Sequence, residues 1–538
     1  MNASDLFVKA LENEGVEFIF GLPGEENIDF LNALTKSSIK FIVTRHEQAA
    51  GFMAATYGRL TGCPGVVLST LGPGATNLMT AVAYAHLGGM PIFILTGQKP
   101  IQENEQMRFQ LIDVVAMMKP VTKFSKQASF STSIPAMVRE AFKISTQERP
   151  GAVHVELPED VAQEEVEVEI FPVIFDSLPV ANEDAILQAV DLIRSAKNPL
   201  ILIGASANRP GVHEALEKFI ALHGFYFFNT QLGKGLVDER SPYYLGTAAL
   251  SKDDFIHAAL SEVDLIINVG HDVVEKPPFL MGQGDQKVIH LDYGPAKIDQ
   301  EYYPQLSVVG DIATSIDHVS AGLDLGEKKS FPSLKAARVQ IKELLSRYDE
   351  DDRFPILPQR LVNIVRNILE ADDVVTLDNG MYKLWFARHY CTYKPNTLLL
   401  DNALASMGAG LPSAIAAKLV HPDKKVVSIS GDGGFMMNSQ ELETAVRLQL
   451  DLIIIVLRDN AYGMIRWKQE SMGFENYGLD FGNPDFVKYA ESYGVSGYRP
   501  DSVAAFEDTL HRALHTSGIH LIDLEIDYSL NQHLGKDA

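Results

Sequence analysis

The sequence predicts an α/β protein made of three consecutive open parallel-sheet domains, and three observations predict it. The chain is 538 residues long, enough for about three hydrophobic cores at roughly 100–200 residues each. Short β-branched runs alternate with helix-length segments from end to end, the pattern of a parallel sheet flanked by helices. Two charged connections, EEVEVEIFPVIFDS after Pro158 and LGEKKSFPSLKAARVQIKELL from about 325 to 355, interrupt that alternation and read as linkers.

In chain order, the first block (1–170) has strand-like runs at 18–20, 41–43, 66–69, 92–95 and 153–155. A helix is expected from near Asp184. The second block (180–325) opens with NPLILIGASAN and continues through LIINVGHD and VIHLDYG. Its GASANRPG segment follows a strand but lacks the G-x-G-x-x-G spacing of a dinucleotide loop. The third block (350–538) restarts the alternation with VVTLDNG, KVVSISGDGG and LIIIVLRDN. No fixed-period repeat is visible, so the chain is not a solenoid.

Composition narrows the function classes. Hydrophobic residues make up 46% and charged residues 22%, the balance of a folded globular chain. Seventy acidic against 46 basic side chains give a formal charge of -24. With no Lys/Arg run to offset it, this charge argues against nucleic acid as a partner. Cys63 and Cys391 are far apart and form no C-x-x-C pair, so neither a disulfide framework nor a zinc site is expected and a cytoplasmic setting fits. The N-terminal stretch carries Asp5, Glu12 and Glu14 within its apolar pattern. The longest apolar runs, such as 452–457, are much shorter than the roughly 20 residues a membrane helix needs.

The sharpest chemical signal lies in KVVSISGDGGFMMNSQELETAVRLQLDLIIIVLRDNAYGMI. Gly431, Gly433 and Gly434 permit close backbone approach and unusual dihedrals, and Asp432 sets an oxygen ligand at the carboxyl end of a strand. Asp459 follows 27 positions later, after one helix and one strand, so a neighbouring parallel strand returns it beside Asp432. Two carboxylates at one crevice call for a cation. Mg2+ suits them because it takes oxygen ligands and commonly shares them with phosphate, which the helix amides after Gly434 would help to hold. A lone Gly-Asp-Gly is more often a plain tight turn; the spacing argues for the metal. In IVTRHEQAAGFMAATYGRLTG, a strand is expected to end at His46-Glu47 before a helix of small residues. This puts Glu47 in a poorly solvated place where it could share a proton with a weakly basic ring nitrogen. The plainer reading makes Glu47 a first-turn residue that complements the helix dipole.

With GLPGEENIDFLNAL (21–34), RHEQAAGFMAATYGRLTG (45–62), LGPGATNLMTAVAYAHLGGMP (71–91), ELETAVRL and FGNPDFVKYAESYG, the chain resembles the thiamine diphosphate-dependent enzymes. Among them it is similar to the acetolactate synthases, and most to the catabolic, flavin-independent type. The resemblance implies pyrimidine-binding, central and diphosphate-binding domains, thiamine diphosphate and Mg2+ as cofactors, and no FAD. It makes Asp432, Asp459 and the Ala461 carbonyl the metal ligands. Glu47 becomes the acid that activates the pyrimidine, Pro73 and Asn77 line that ring, and Met407 wedges the cofactor into a bent shape while Ala405 offers its carbonyl. Gly380, Gly431, Gly433, Gly434, Gly463 and Met464 complete the cofactor set. Gln110 stands on the substrate side, the Gly24 loop closes over the reacting ring, and Trp467 and Lys468 are substrate candidates.

The implied reaction is decarboxylation of a 2-keto acid, pyruvate, and joining of the remaining two-carbon unit to a second pyruvate to give 2-acetolactate. The alternatives are a decarboxylase that releases an aldehyde and a non-catalytic cofactor-binding protein. The family builds its site between the first block of one subunit and the third block of another, so a homodimer or homotetramer is implied. Several positions depart from the family. Met381 and Tyr382 stand where a polar residue and a histidine commonly meet the diphosphate, and Ala405 replaces a glutamine. Trp467-Lys468 replaces an apolar residue and glutamine, and GHDVVEKPPF replaces the flavin-holding segment of the biosynthetic enzymes. Met407 by type alone would be core, and Lys468 a solvated charge.

Overall fold

A computed structural model of the chain describes all residues except 102–108, 175–176, 251–253, 262, 273, 276–285, 324–329 and 535–538, and the side chains of 258, 532 and 533. Three six-stranded parallel sheets follow one another. The first contains β1 Phe18–Gly21, β2 Lys40–Val43, β3 Gly65–Ser69, β4 Ile92–Gln98, β5 Phe124–Gln127 and β6 Ala152–Pro158, in the order β2-β1-β3-β4-β6-β5. The second contains β7 Pro199–Ile203, β8 Tyr226–Thr230, β9 Tyr244–Ala248, β10 Leu265–Val269, β11 Lys287–Asp292 and β12 Leu306–Val309, in the order β12-β11-β10-β7-β8-β9. The third contains β13 Val374–Leu377, β14 Leu398–Leu399, β15 Val426–Gly431, β16 Leu452–Arg458, β17 Ser496–Tyr498 and β18 Ile519–Glu525, in the order β14-β13-β15-β16-β18-β17.

Continuous apolar runs explain the central strands. Pro199–Ile203 (PLILI) is buried along its whole length, as is all of Leu452–Arg458 (LIIIVLR) but its last residue, because a parallel sheet covered by helices on both faces has no solvent side. The expected runs in the first block all fall within strands. The edge strand β5, FSKQ, has only one buried residue and lacked the apolar signal that marks its neighbours.

By contacts the chain divides into two compact units. One gathers 1–176, 403–423 and 435–452; the other gathers 177–402, 424–434 and 453–538. In the first unit, the helix Glu47–Thr61 packs on the first sheet and against the helix Gly410–Val420, with Thr56 Oγ1 donating to Ser413 Oγ at 2.9 Å. Its small residues are functional spacers: a Cβ at Gly58 would overlap the Pro91 carbonyl oxygen. Gly58→Ala is therefore expected to destabilise by about 1–3 kcal/mol, measured as a lowered urea midpoint with an unchanged slope. Among the described residues no helix is long and apolar enough to cross a membrane.

Candidate active site

In the second unit, two adjacent strand ends assemble one polar cluster. β15 pairs with β16 in parallel, Gly431 opposite Leu457, so the residues leaving each strand emerge side by side. Asp432 opens the helix Asp432–Asn438 and is 1% exposed. Its Oδ2 accepts from the Asn460 amide at 2.7 Å and from Asn483 Nδ2 at 2.8 Å, and its Oδ1 from the Gly433 amide at 2.8 Å. Asp459 Oδ2 is buried and has no hydrogen-bond partner. Burial, followed by the neighbouring Asp432 charge, pushes its carboxyl up to about 7. Burial also raises Asp432, against the amide bonds that favour its charge. A buried, unpartnered carboxylate oxygen beside a second carboxylate fits a hard divalent cation in its donor chemistry. Buried Ala461, bridged to Asp480 in a short antiparallel contact, leaves the same strand end. The preceding Arg458 turns the other way, pairing with Asp523 at 2.9 Å and Glu525 at 2.8 Å.

The glycines work differently from the expectation. None of Gly431, Gly433 and Gly434 has a positive φ; Gly433 and Gly434 already lie in the first helical turn and need ordinary helical angles. They supply space instead. A Cβ at Gly434 would overlap the buried Asp378 carboxylate, and one at Gly431 would come within 3.3 Å of the Tyr382 ring. That ring also crowds Gly380, the residue before the helix Met381–His389. Tyr382 and Met381 are both buried.

An indentation of about 360 Å3 beside this cluster is lined by Asp459, Gly463, Arg466, Trp467, Tyr528 and Asn531, among others. Trp467 is fixed by its indole N–H, which donates to the Asn531 carbonyl at 2.9 Å. Half-buried Met464 packs on the core below. Lys468, one residue on, is exposed and is not in that lining. Arg466, which sequence reasoning passed over, is the cation that lines it.

In the first unit, Glu47 is the first residue of its helix rather than a strand end. β2 stops at Val43, and His46 caps the helix by accepting from the Gln48 amide. Position still buries Glu47, at 9% exposure. Its Oε2 accepts from Asn77 Nδ2 at 3.0 Å, while Oε1 faces Gly74, whose missing side chain would come within 3.3 Å. Pro73 begins the short helix that ends at Asn77. Gln110 is exposed, and its backbone presses on Gly72, just before Pro73; Arg108 of its motif lies outside the described residues. Gly24 abuts Thr70 with no room for a Cβ, and Thr70 donates to Glu26, which is paired with Lys99 at 2.7 Å. Met407 is half-buried in a turn rather than core, and Ala405 is exposed. Asn438 ties that turn to the neighbour of Glu47, donating to the Gly408 carbonyl at 2.8 Å and to Gln48 Oε1 at 3.1 Å.

Among the described residues the non-glycine positions with positive φ are Gln110, Asn396, Ala405, Gln449 and Asn460. Three of the five coincide with or interrupt the sequence-predicted site. Such strain persists where surrounding structure enforces it, often at functional sites. Sequence reasoning missed Asn483 and Asn438. Asn483 lies in the FGNPDF segment that carried the resemblance, yet no spacing rule links it to Asp432. Asn483→Ala is expected to weaken Mg2+ binding about 10-fold by freeing the Asp432 carboxylate, read by titrating Mg2+ against cofactor retention.

Three family models match the chain: the thiamine pyrophosphate enzyme N-terminal TPP binding domain over residues 1–117, the central domain over 186–319 and the C-terminal TPP binding domain over 378–524. Among curated relatives, the acetolactate synthase of Bacillus subtilis (strain 168) is 35% identical over 99% of this chain and 95% of its own length. The catabolic acetolactate synthase of Raoultella terrigena is 34% identical over 98% and 96%. A probable acetolactate synthase large subunit of Methanococcus aeolicus is 34% identical over 98% and 92%.

Proposed function

Because the chain belongs to the thiamine pyrophosphate enzyme family, we propose that it converts two molecules of pyruvate to 2-acetolactate and carbon dioxide, with Mg2+ anchoring the thiamine diphosphate. The observation that carries this reading is the unpartnered Asp459 oxygen beside Asp432, in a chain that aligns end to end with acetolactate synthases.

When bound, thiamine diphosphate supplies the electron sink for loss of carbon dioxide. The chain's own residues hold it and manage its protons. Asp432, Asp459 and the Ala461 carbonyl would hold the cation, with Asp432 already aimed by Asn460 and Asn483. Glu47, steadied through Oε2 by Asn77, keeps its other oxygen free to pass a proton to the aminopyrimidine. Pro73 and Asn77 would border that ring, and Met407 with Ala405 would pack against the cofactor. Gly380, Gly431, Gly433, Gly434, Gly463 and Met464 would lie at the diphosphate end. Gln110 and the Gly24 loop would lie on the substrate side, and Trp467 would give the second keto acid an apolar wall, beside Arg466, which is paired with Asp480 at 3.3 Å, and the carboxylates of Glu470 and Asp527. Lys468, being exposed, stands as a more distant substrate candidate.

The reading includes no FAD. The strand order of the second sheet reverses between β7 and β10, where an open α/β sheet offers amides to a ligand. There the Glu275 carboxylate already takes the Ala205 amide, as well as the Leu232 amide beyond β8, each at 3.1 Å. The same reading takes the enzyme as a cytoplasmic homodimer or homotetramer with sites at the subunit interface.

The test incubates the purified protein with pyruvate, thiamine diphosphate and Mg2+ and follows carbon dioxide, acetolactate and acetaldehyde together. Acetolactate in near-equal amount to carbon dioxide is expected. Aldehyde as the main product would make it a simple decarboxylase, and cofactor binding without carbon dioxide from any 2-keto acid would make it a non-catalytic binder.

A further inference from the structure

A second cavity in the second unit, of about 260 Å3, takes no part in the site above. Its apolar wall includes Phe255, Leu344, Leu345, Tyr348, Trp385 and Leu530. That volume suits a compact ligand, since an apolar cavity of about 150 Å3 can accept benzene.

Its polar wall is unusual for so acidic a chain. Apart from the phenol of Tyr348, the ionisable side chains lining it are Arg347, Arg388 and His389, with no carboxylate among them. Burial pushes the His389 imidazole down to about 3, so the ring is neutral. Arg388 is buried and paired with Asp254 at 3.2 Å, which largely meets its charge. Arg347, exposed at the end of the helix Pro332–Ser346, has no ion pair among the described residues, leaving one uncompensated positive charge. Two buried polar atoms on lining residues also lack partners: Gln359 Oε1, on a residue 3% exposed, and Arg388 Nε. Buried groups left unsatisfied by protein mark a place for water or ligand.

We propose that this cavity is a binding site for a small apolar monocarboxylate. Its hydrocarbon body lies against Trp385 and the leucines, and its carboxylate accepts from Arg347 and from the unpartnered Arg388 Nε–H. The Trp385 indole N–H donates to Asn531 Oδ1 at 2.9 Å, and the Asn531 carbonyl holds Trp467, so occupancy is readable in tryptophan fluorescence.

The probe is phenylacetate, with phenylacetamide as its uncharged counterpart, titrated into the holoenzyme by calorimetry and by fluorescence. Saturable phenylacetate binding with Kd below about 1 mM is expected, and at least about 10-fold weaker binding of the amide. Leu345→Trp, which fills the cavity from its half-exposed rim, should abolish binding while leaving pyruvate turnover unchanged; Arg347→Gln should weaken it. No saturable phenylacetate binding, equal affinity for the two probes, or undiminished binding to folded Leu345→Trp protein would each overturn the proposal.

Discussion

Asp459→Ala is expected to raise the Mg2+ concentration needed to retain thiamine diphosphate by at least about 100-fold, since even neighbours of metal ligands commonly contribute 10–100-fold. Asp459→Asn should retain most of the affinity, because the amide oxygen can still coordinate. The contrast separates loss of a ligand from loss of fold. A pH dependence accompanies it. Without a cation, burial and then Asp432 lift the Asp459 carboxyl from an ordinary value of 3.8 to about 7. Between those values the folded, metal-free protein binds a proton that the unfolded chain has released, so this group's contribution to stability falls as pH rises through that window. A cation stabilises the ionised form. The Mg2+-induced rise in melting temperature should therefore be larger at about pH 8 than at about pH 5.5, and Asp459→Asn should flatten the difference. Equal rises in the unsubstituted protein would remove Asp459 from the ligand set.

Glu47→Gln is expected to lower carbon dioxide release by about 100-fold or more while leaving cofactor affinity nearly unchanged. Glutamine keeps the size of the side chain and can still accept from Asn77, yet it cannot exchange a proton with the pyrimidine. The decisive measurement is hydrogen–deuterium exchange at the thiazolium C2 of bound cofactor, which should slow in parallel. Normal exchange in the variant would return Glu47 to the plainer role of a helix first-turn acid.

Much of this was legible in one dimension because the governing rules are local. Buried parallel strands announce themselves as unbroken apolar runs, and a crossover of ordinary length returns Asp459 beside Asp432, as the pairing of Gly431 with Leu457 does, although it holds two short helices, Asp432–Asn438 and Leu442–Arg447, where one was expected. The contact of Glu47 with Asn77 joins residues 30 apart and was implied only by resemblance. Errors arose where side chains decide what spacing cannot. His46 caps the helix and so moves Glu47 off the strand, while the glycines answer to the bulk of Asp378 and Tyr382 rather than to φ. Asn483 reaches Asp432 across 51 positions from a loop without periodicity, and Glu275 reaches its two amides from 70 and 43 positions away. Long-range polar contacts of this kind leave no pattern in a window of sequence.

The left-handed backbone at Gln110, Ala405 and Asn460 bears on how the protein can evolve. Each such residue holds roughly 1–3 kcal/mol of strain that glycine would relieve. Selection for heat resistance alone would favour glycine at these positions, and, if they serve the proposed site, selection for turnover would resist it. On the proposed function, a thermostable descendant that gained its stability there is expected to be a slower catalyst, whereas one stabilised at the equally left-handed Asn396 or Gln449 is expected to keep its rate.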